Sequence, residues 1–262
     1  MSLPKDALLD GSQNAAELAP LLDLAEGVLK TWQPRWSDFV AAPLREELLE
    51  RFASLSELRW HGDGGHPGAE RQRLQCSRSD TTENEPMDAA PISGLVIEGN
   101  FLFDPITPAD LRQALVGLGA EPDAIGDIWV RGDRGGQALL TPEQAAALDG
   151  AHGNVREVAI RCDQVAIDQL QLPAQRVAKQ LTTVEASCRI DAIASAGFGL
   201  SRAKVVAQIK AGKLRLNWTA VRQGSRELCV GDRLHLQDKG CVEVLSLTLT
   251  KRQRWRVELM RR

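Results

Sequence analysis

Arg189-Ile190-Asp191-Ala192-Ile193-Ala194-Ser195-Ala196-Gly197-Phe198-Gly199-Leu200-Ser201-Arg202-Ala203-Lys204-Val205-Val206-Ala207-Gln208-Ile209-Lys210-Ala211-Gly212-Lys213-Leu214-Arg215-Leu216-Asn217 decides how this chain is read. Ile190, Ile193 and Ala194 recur at helical spacing and make the inner face of a short helix. Gly197 and Gly199 are expected to break it. Ser201 is a natural N-cap, because its hydroxyl can accept from a free N–H of the next turn. A second helix is predicted from Arg202 to Ala211, with Val205, Val206 and Ile209 inward, and Gly212 stops it. Leu214-Arg215-Leu216 alternates as a strand, and Asn217 starts a turn.

Arg202 and Lys204 fall in the first turn of the second helix, and Lys210 and Lys213 near its end. Cations at a helix N-terminus oppose the macrodipole. A sequence that keeps them there points them at an anion, which side-chain charge and free helix N–H groups hold together. A basic helix face without further pattern is more often simply solvated. The pattern here is fuller: Arg189-Ile190-Asp191, Ser201-Arg202, Lys204, Ile209, Gly212, Leu214-Arg215-Leu216-Asn217 and Gly231-Asp232. It resembles the S4 domain, an RNA-binding module named after a ribosomal protein of the small subunit. Trp218 departs from it, since many members carry Gly there. The resemblance implies an RNA-binding surface, for which the candidate residues are Arg189, Ser201, Arg202, Lys204, Lys210, Lys213, Arg215 and Asn217. Lys251 and Arg252 join them from the tail Lys251-Arg252-Gln253-Arg254-Trp255-Arg256, which alternates like a strand. That tail either extends the phosphate track or is an edge strand guarded by charge.

Charge supports a segmental division. The net charge of −3 argues against nucleic acid, but from Lys179 onward 17 Lys and Arg stand against 7 Asp and Glu. The rest of the chain carries 15 against 28. Phosphate binding depends on local potential within a Debye length of ~8–10 Å, so the basic segment governs. The 262 residues suffice for two or three small domains, and the composition is that of a soluble globular protein. No apolar run is long enough to cross a bilayer, and no signal peptide opens the chain, so a cytoplasmic location is expected. The five cysteines are scattered and never spaced Cys-x-x-Cys, which reads as reduced, mostly buried thiols.

The fold class is α+β, in three expected parts. An N-terminal helical or α+β domain spans 1–80. A helix over Glu17–Lys30 puts Leu18, Leu21, Leu22, Ala25, Val28 and Leu29 on one face and ends before Pro34. A second helix from Pro43 turns Leu44, Leu48, Leu49 and Phe52 inward. Strands follow at Leu55–Trp60 and Arg71–Ser77, and 77–90 is the linker candidate. The central domain, 91–164, runs strand Ile92–Asn100, helix Thr107–Leu118, strand Ile125–Arg131, strand Gly136–Leu140, helix Thr141–Leu148 and strand Val155–Arg161. This βαββαβ order is that of the ferredoxin-like fold, which RNA-recognition motifs share. Phe101 and Phe103 could stack on bases but as a class are more often core. A second connector, 164–180, leads to the S4 domain, 181–262, with its β-rich tail.

The wider layout resembles the YlmH-type S4 proteins, whose cyanobacterial and plastid relatives are called photosystem II S4 domain proteins. The segments that carry it are Gly64-Gly65-His66-Pro67-Gly68-Ala69-Glu70-Arg71-Gln72-Arg73, Gly99-Asn100-Phe101-Leu102-Phe103-Asp104-Pro105, Ile125-Gly126-Asp127-Ile128 and Thr182-Thr183-Val184-Glu185-Ala186-Ser187. The resemblance implies association with the large ribosomal subunit in rescue of stalled translation. The expectation is a non-catalytic, monomeric protein that docks on structured ribosomal or transfer RNA, with no cofactor, metal, DNA or membrane partner. His61, Asp63, His66 and Glu70 are too loosely spaced for a metal and read as turn residues. Glu70-Arg71-Gln72-Arg73 either touches RNA or forms ion pairs with the acidic helices, the latter preferred. No phosphate loop or nucleophile elbow is present. The competing classes are a pseudouridine synthase or methyltransferase with an appended S4 module, and a photosystem II assembly factor.

Overall fold

The computed structural model describes residues 3–79, 89–174, 177–236 and 239–262. The chain forms two compact units, Met1–Gln175 and Arg176–Arg262. The expected segments 1–80 and 91–164 both lie in the first unit, each with a sheet of its own. Most of the expected linker, residues 80–88, lies outside the described residues.

The first sheet is built from β1 (Arg35–Val40), β2 (Leu58–Asp63) and β3 (Gln72–Arg78) in the order β1-β3-β2, all antiparallel. Three helices accompany it: α1 (Lys5–Leu9), α2 (Ala15–Thr31) and α3 (Ala42–Arg51). The periodicity of α2 holds, with Leu18, Leu22, Ala25 and Val28 fully buried. Helix α2 ends at Trp32, whose left-handed φ of 62° turns the chain before Pro34. Strand β1 has no clear signal in its own residues; β3 makes it a strand by pairing Arg35 with Cys76 through to Val40 with Gln72. Helix α3 turns Leu48 and Phe52 inward, but Leu49 is exposed, because a residue next to a buried one lies about 100° round the helix.

The second sheet holds β4 (Ser93–Gly99), β5 (Ile125–Val130), β6 (Gly135–Leu140), β7 (His152–Val155) and β8 (Val158–Val165) in the order β5-β6-β4-β8-β7. Helices α4 (Pro108–Gly117) and α5 (Pro142–Ala147) complete the split βαβ pattern, with one extra edge strand. The expected final strand Val155–Arg161 is instead a hairpin, turning at Arg156 with φ of 53°. Thr107 and Asp110 form a reciprocal capping box on α4. One face of the sheet packs Leu95, Ile97, Ala138, Leu140 and Ile160 around Leu111 and Leu115. On the other face, Leu139 meets Phe39 and Leu170, with Val96, Trp129 and Ile167 beside them. RNA-recognition motifs stack bases on sheet aromatics. Here Phe101 is core, at 2% exposure, while Phe103 stands 93% exposed on the loop beyond β4.

The glycine-rich turn and the Ile125–Ile128 segment meet at Asp127. Its carboxylate accepts from Glu70 N at 2.8 Å and Arg71 N at 2.9 Å, and pairs with His66 Nε2 at 3.2 Å. Asp63 likewise accepts from Gly65 N and Ala90 N. These acids hold turns together. Arg71 and Arg73 depart from the preferred ion pairing with helices. Arg71 donates to the carbonyls of Ile125 and Phe39, and Arg73 to those of Ser37 and Pro91. Arg73 is almost fully buried, and a buried guanidinium must find acceptors wherever the backbone offers them.

The second unit begins with β9 (Lys179–Glu185), followed by α6 (Ile190–Phe198), α7 (Arg202–Lys210), β10 (Leu214–Leu216) and β11 (Thr219–Ala220). Strands β12 (Arg233–Leu236), β13 (Gly240–Leu249) and β14 (Trp255–Arg261) close it. The sheet order is β11-β10-β12-β13-β14-β9. Ile190, Ile193 and Ala194 pack on Val242, Val244, Val257 and Leu259, all essentially inaccessible. Burying each such aliphatic side chain is worth ~1.5–3 kcal/mol. Gly197 does not break α6. It lies inside the helix against Val242, where a Cβ would come within 2.7 Å of Val242 Cγ1. Gly199, with φ of 66°, ends it. Val206 is exposed, and Val205 and Ile209 alone are the buried residues of α7.

Candidate nucleic-acid interface

Local chemistry fixes α7 firmly. Ser201 Oγ accepts from Lys204 N at 3.3 Å, the N-cap bond its position predicted. Both basic residues of this first turn are exposed. Arg202 leans 3.5 Å from Glu185 Oε2 at the end of β9. Lys204 carries its charge on the same turn without an ion pair among the described residues. Glu185 pairs with Trp255 at the start of β14, so the turn before Trp255 comes up beside this helix end. That turn holds Lys251 and Arg252, both exposed, closed by Gln253 N to Thr250 O at 2.9 Å. Residues 251–254 are therefore not a strand. Nor is β14 an edge strand, because it lies between β13 and β9.

Lys210 and Lys213 sit at the opposite end of α7, eight or more residues on, which is about 12 Å along the axis. Arg215 is near them, on β10, pointing away from the core between buried Leu214 and Leu216. Strands β10 and β9 are four strand spacings apart, roughly 19 Å. The ten candidate residues thus fall into two basic groups at the two ends of α7, with two structural residues besides.

Arg189 and Asn217 are those structural residues. Arg189 is the N-cap of α6 and makes two bonds to Asp191, at 3.1 and 2.9 Å. Hydrogen bonding to Asp191 holds its guanidinium above the ordinary arginine pKa. Asn217 Nδ2 donates to Asp232 at 2.8 Å, while its Oδ1 accepts from Arg233 N at 2.9 Å. Asp232 also accepts from Cys229 N. The Gly231-Asp232 element of the motif is thereby explained as the partner that fixes the turn after β10.

Asn217 and Trp218 have φ of 46° and 70°, the geometry of a two-residue I′ hairpin turn between β10 and β11. Glycine adopts the second position most easily, and a left-handed residue other than glycine costs ~1–2 kcal/mol. The Trp218 ring stacks on His235 with centroids 3.6 Å apart and planes at 24°. Such a ring pair returns ~0.5–1.5 kcal/mol. The two effects nearly cancel, so folding gains little from tryptophan here.

Sequence reasoning passed over Arg222 and Arg226, both exposed in the loop between β11 and β12. The loop is fastened to the start of α6 by Ile190 N to Arg226 O at 2.8 Å and Asp191 N to Gly224 O at 3.0 Å. No spacing rule links residues 189 and 226; the fold alone sets these cations near Arg189. Cysteine takes no part. Cys76, Cys162 and Cys188 are buried, and burial pushes the Cys76 thiol up to about 12 and Cys162 to about 11.

Family models match the chain in two places: the YlmH N-terminal domain over residues 13–81 and the S4 domain over residues 188–234. The chain is a YlmH-type S4 domain protein. The S4 match takes in α6, α7, the turn after β10 and the Gly231-Asp232 lock. A curated relative, "Ribosome-associated protein quality control protein P2" of Bacillus subtilis strain 168, is 23% identical over 235 residues. That alignment covers 89% of this chain and 90% of the relative. A solved structure, "Cell division protein ylmH from Streptococcus pneumoniae", is 19% identical with a TM-score of 0.45, covering 58% of this chain and 93% of that one. No helix among the described residues is long and apolar enough to cross a membrane.

Proposed function

We propose that the protein is a non-catalytic RNA-binding protein that grips structured RNA of the ribosome through its C-terminal unit. The observation that carries this is the capped N-terminus of α7. There Arg202 and Lys204, two exposed cations, share one helical turn with free backbone N–H groups, beside the basic turn at Lys251 and Arg252. Phosphate oxygens are the ligands that satisfy such a set. A second basic group, Lys210, Lys213 and Arg215, suits a strand of RNA continuing along the helix. The RNA is that of the large subunit, alone or with transfer RNA, and the role is rescue of stalled translation, in keeping with the name of the Bacillus subtilis relative. The protein works as a monomer in the cytoplasm, and the acidic first unit is the part that RNA anchoring brings to the ribosome.

Sedimentation through a sucrose cushion with purified ribosomal subunits tests this. The protein is expected to pellet with large subunits. With about six to ten phosphates neutralised, affinity should fall roughly 10³–10⁵-fold between 50 and 200 mM salt. Binding that ignores salt, or no binding to large subunits, overturns the proposal.

A further inference from the structure

We propose that Trp218 is a base-stacking residue, which takes an unpaired nucleotide of the RNA against its indole ring. This rests on the RNA-binding role and names the kind of RNA site it prefers. Trp218 occupies a turn position with φ of 70°, where glycine would fit without strain. Its stack on His235 does no more than offset that strain, so fold stability gives no reason for tryptophan over glycine. The surroundings supply a different reason. Asn217 is locked by Asp232 and Arg233 N, so the turn is held rigid before any ligand arrives. His235 backs the indole like a second plate, and Trp218 remains partly open to solvent. Arg215 is the cross-strand partner of His235 on the outward face, within reach of the phosphate of a nucleotide stacked on the ring. A rigid aromatic plate beside a guanidinium is the chemistry that holds single-stranded bases without regard to their identity. Fully paired RNA keeps its bases inside the helix and offers such a plate nothing.

Three RNA probes of one sequence test the inference: a blunt duplex, the same duplex with one bulged adenosine, and the duplex with an abasic site at the bulge. Full-length protein is expected to bind the bulged duplex about 10-fold more tightly than the other two, the scale of one stacked base. W218G, which suits the backbone and should fold, is expected to bind all three alike, with an unchanged dependence on salt. W218F should recover most of the preference. If the wild type binds the three RNAs equally, or W218G keeps the preference, the inference falls while RNA binding stands. If the wild type binds none of them, both fall.

Discussion

Lys204→Glu separates the two things that α7 is built to do. Lys204 is the third residue of the helix, and its backbone N–H already donates to Ser201 Oγ. A glutamate at this position can reach back to the backbone N–H of Ser201, completing a capping box. It also replaces a cation that opposes the helix dipole with an anion that favours it, worth about 0.3–1 kcal/mol at an exposed site. Stability should therefore rise by about 0.5–1 kcal/mol. RNA affinity should move the other way. Removing one charge-assisted bond to phosphate costs ~1.5–3 kcal/mol, or about 10–150-fold in Kd. The slope of log K against log salt should flatten by ~0.7–0.9 for each phosphate no longer neutralised. Urea denaturation gives the first quantity, and a salt series of RNA-binding isotherms gives the other two. Because the variant is expected to be the more stable protein, unfolding cannot account for weaker binding. Unchanged affinity with raised stability would show that the α7 N-terminus does not face RNA. Lowered stability would refute the capping geometry instead.

Asn217→Ala removes both side-chain bonds to the Asp232–Arg233 segment at a left-handed backbone position. A loss of about 2–3 kcal/mol in the second unit is expected by urea titration, at ~1 kcal/mol per hydrogen bond plus the backbone strain. Gly197→Ala would gain up to ~1 kcal/mol in helix propensity, but the clash with Val242 costs more, so a net loss of about 1–2 kcal/mol is expected on thermal unfolding. The His66–Asp127 pair gives the first unit a pH dependence. The hydrogen bond from Asp127 raises the His66 pKa above its ordinary value. For Asp127, burial pushes its pKa up, but the bonds from His66, Arg71 N and Glu70 N outweigh this and leave it lowered. The imidazolium contribution is fully present below the unfolded histidine pKa of ~6.5 and is lost as pH rises through the higher folded value. The carboxylate contribution is present above ~3.9 and is lost as acid lowers the pH through the folded Asp127 value. Denaturation midpoints across this range should fall on the alkaline side, and His66→Gln should remove that fall but leave the acid limb.

Sequence by itself determined the parts whose signal is local. The α6–α7 pair is legible because 3.6-residue periodicity, a serine N-cap and positive-φ glycines are properties of short stretches. The S4 grammar adds Asn217 and Gly231-Asp232, although only the hydrogen bonds between them say that their task is to fix a turn. The central βαββαβ order is legible for the same reason: each strand and each Thr-Pro helix start announces itself. Tertiary structure decided whatever depends on distant partners. Strand β1 exists because β3 pairs with it, β14 is internal because β9 returns to cover its edge, and Gly197 is needed because Val242 approaches α6. The same holds for the candidate interface. Basic charge is visible in the sequence, but pairing removes Arg189 to Asp191, and strand spacing splits the remaining cations between the two ends of α7. Only chain folding could bring Arg222 and Arg226 beside α6, since side-chain position in space depends on contacts between residues far apart in the chain.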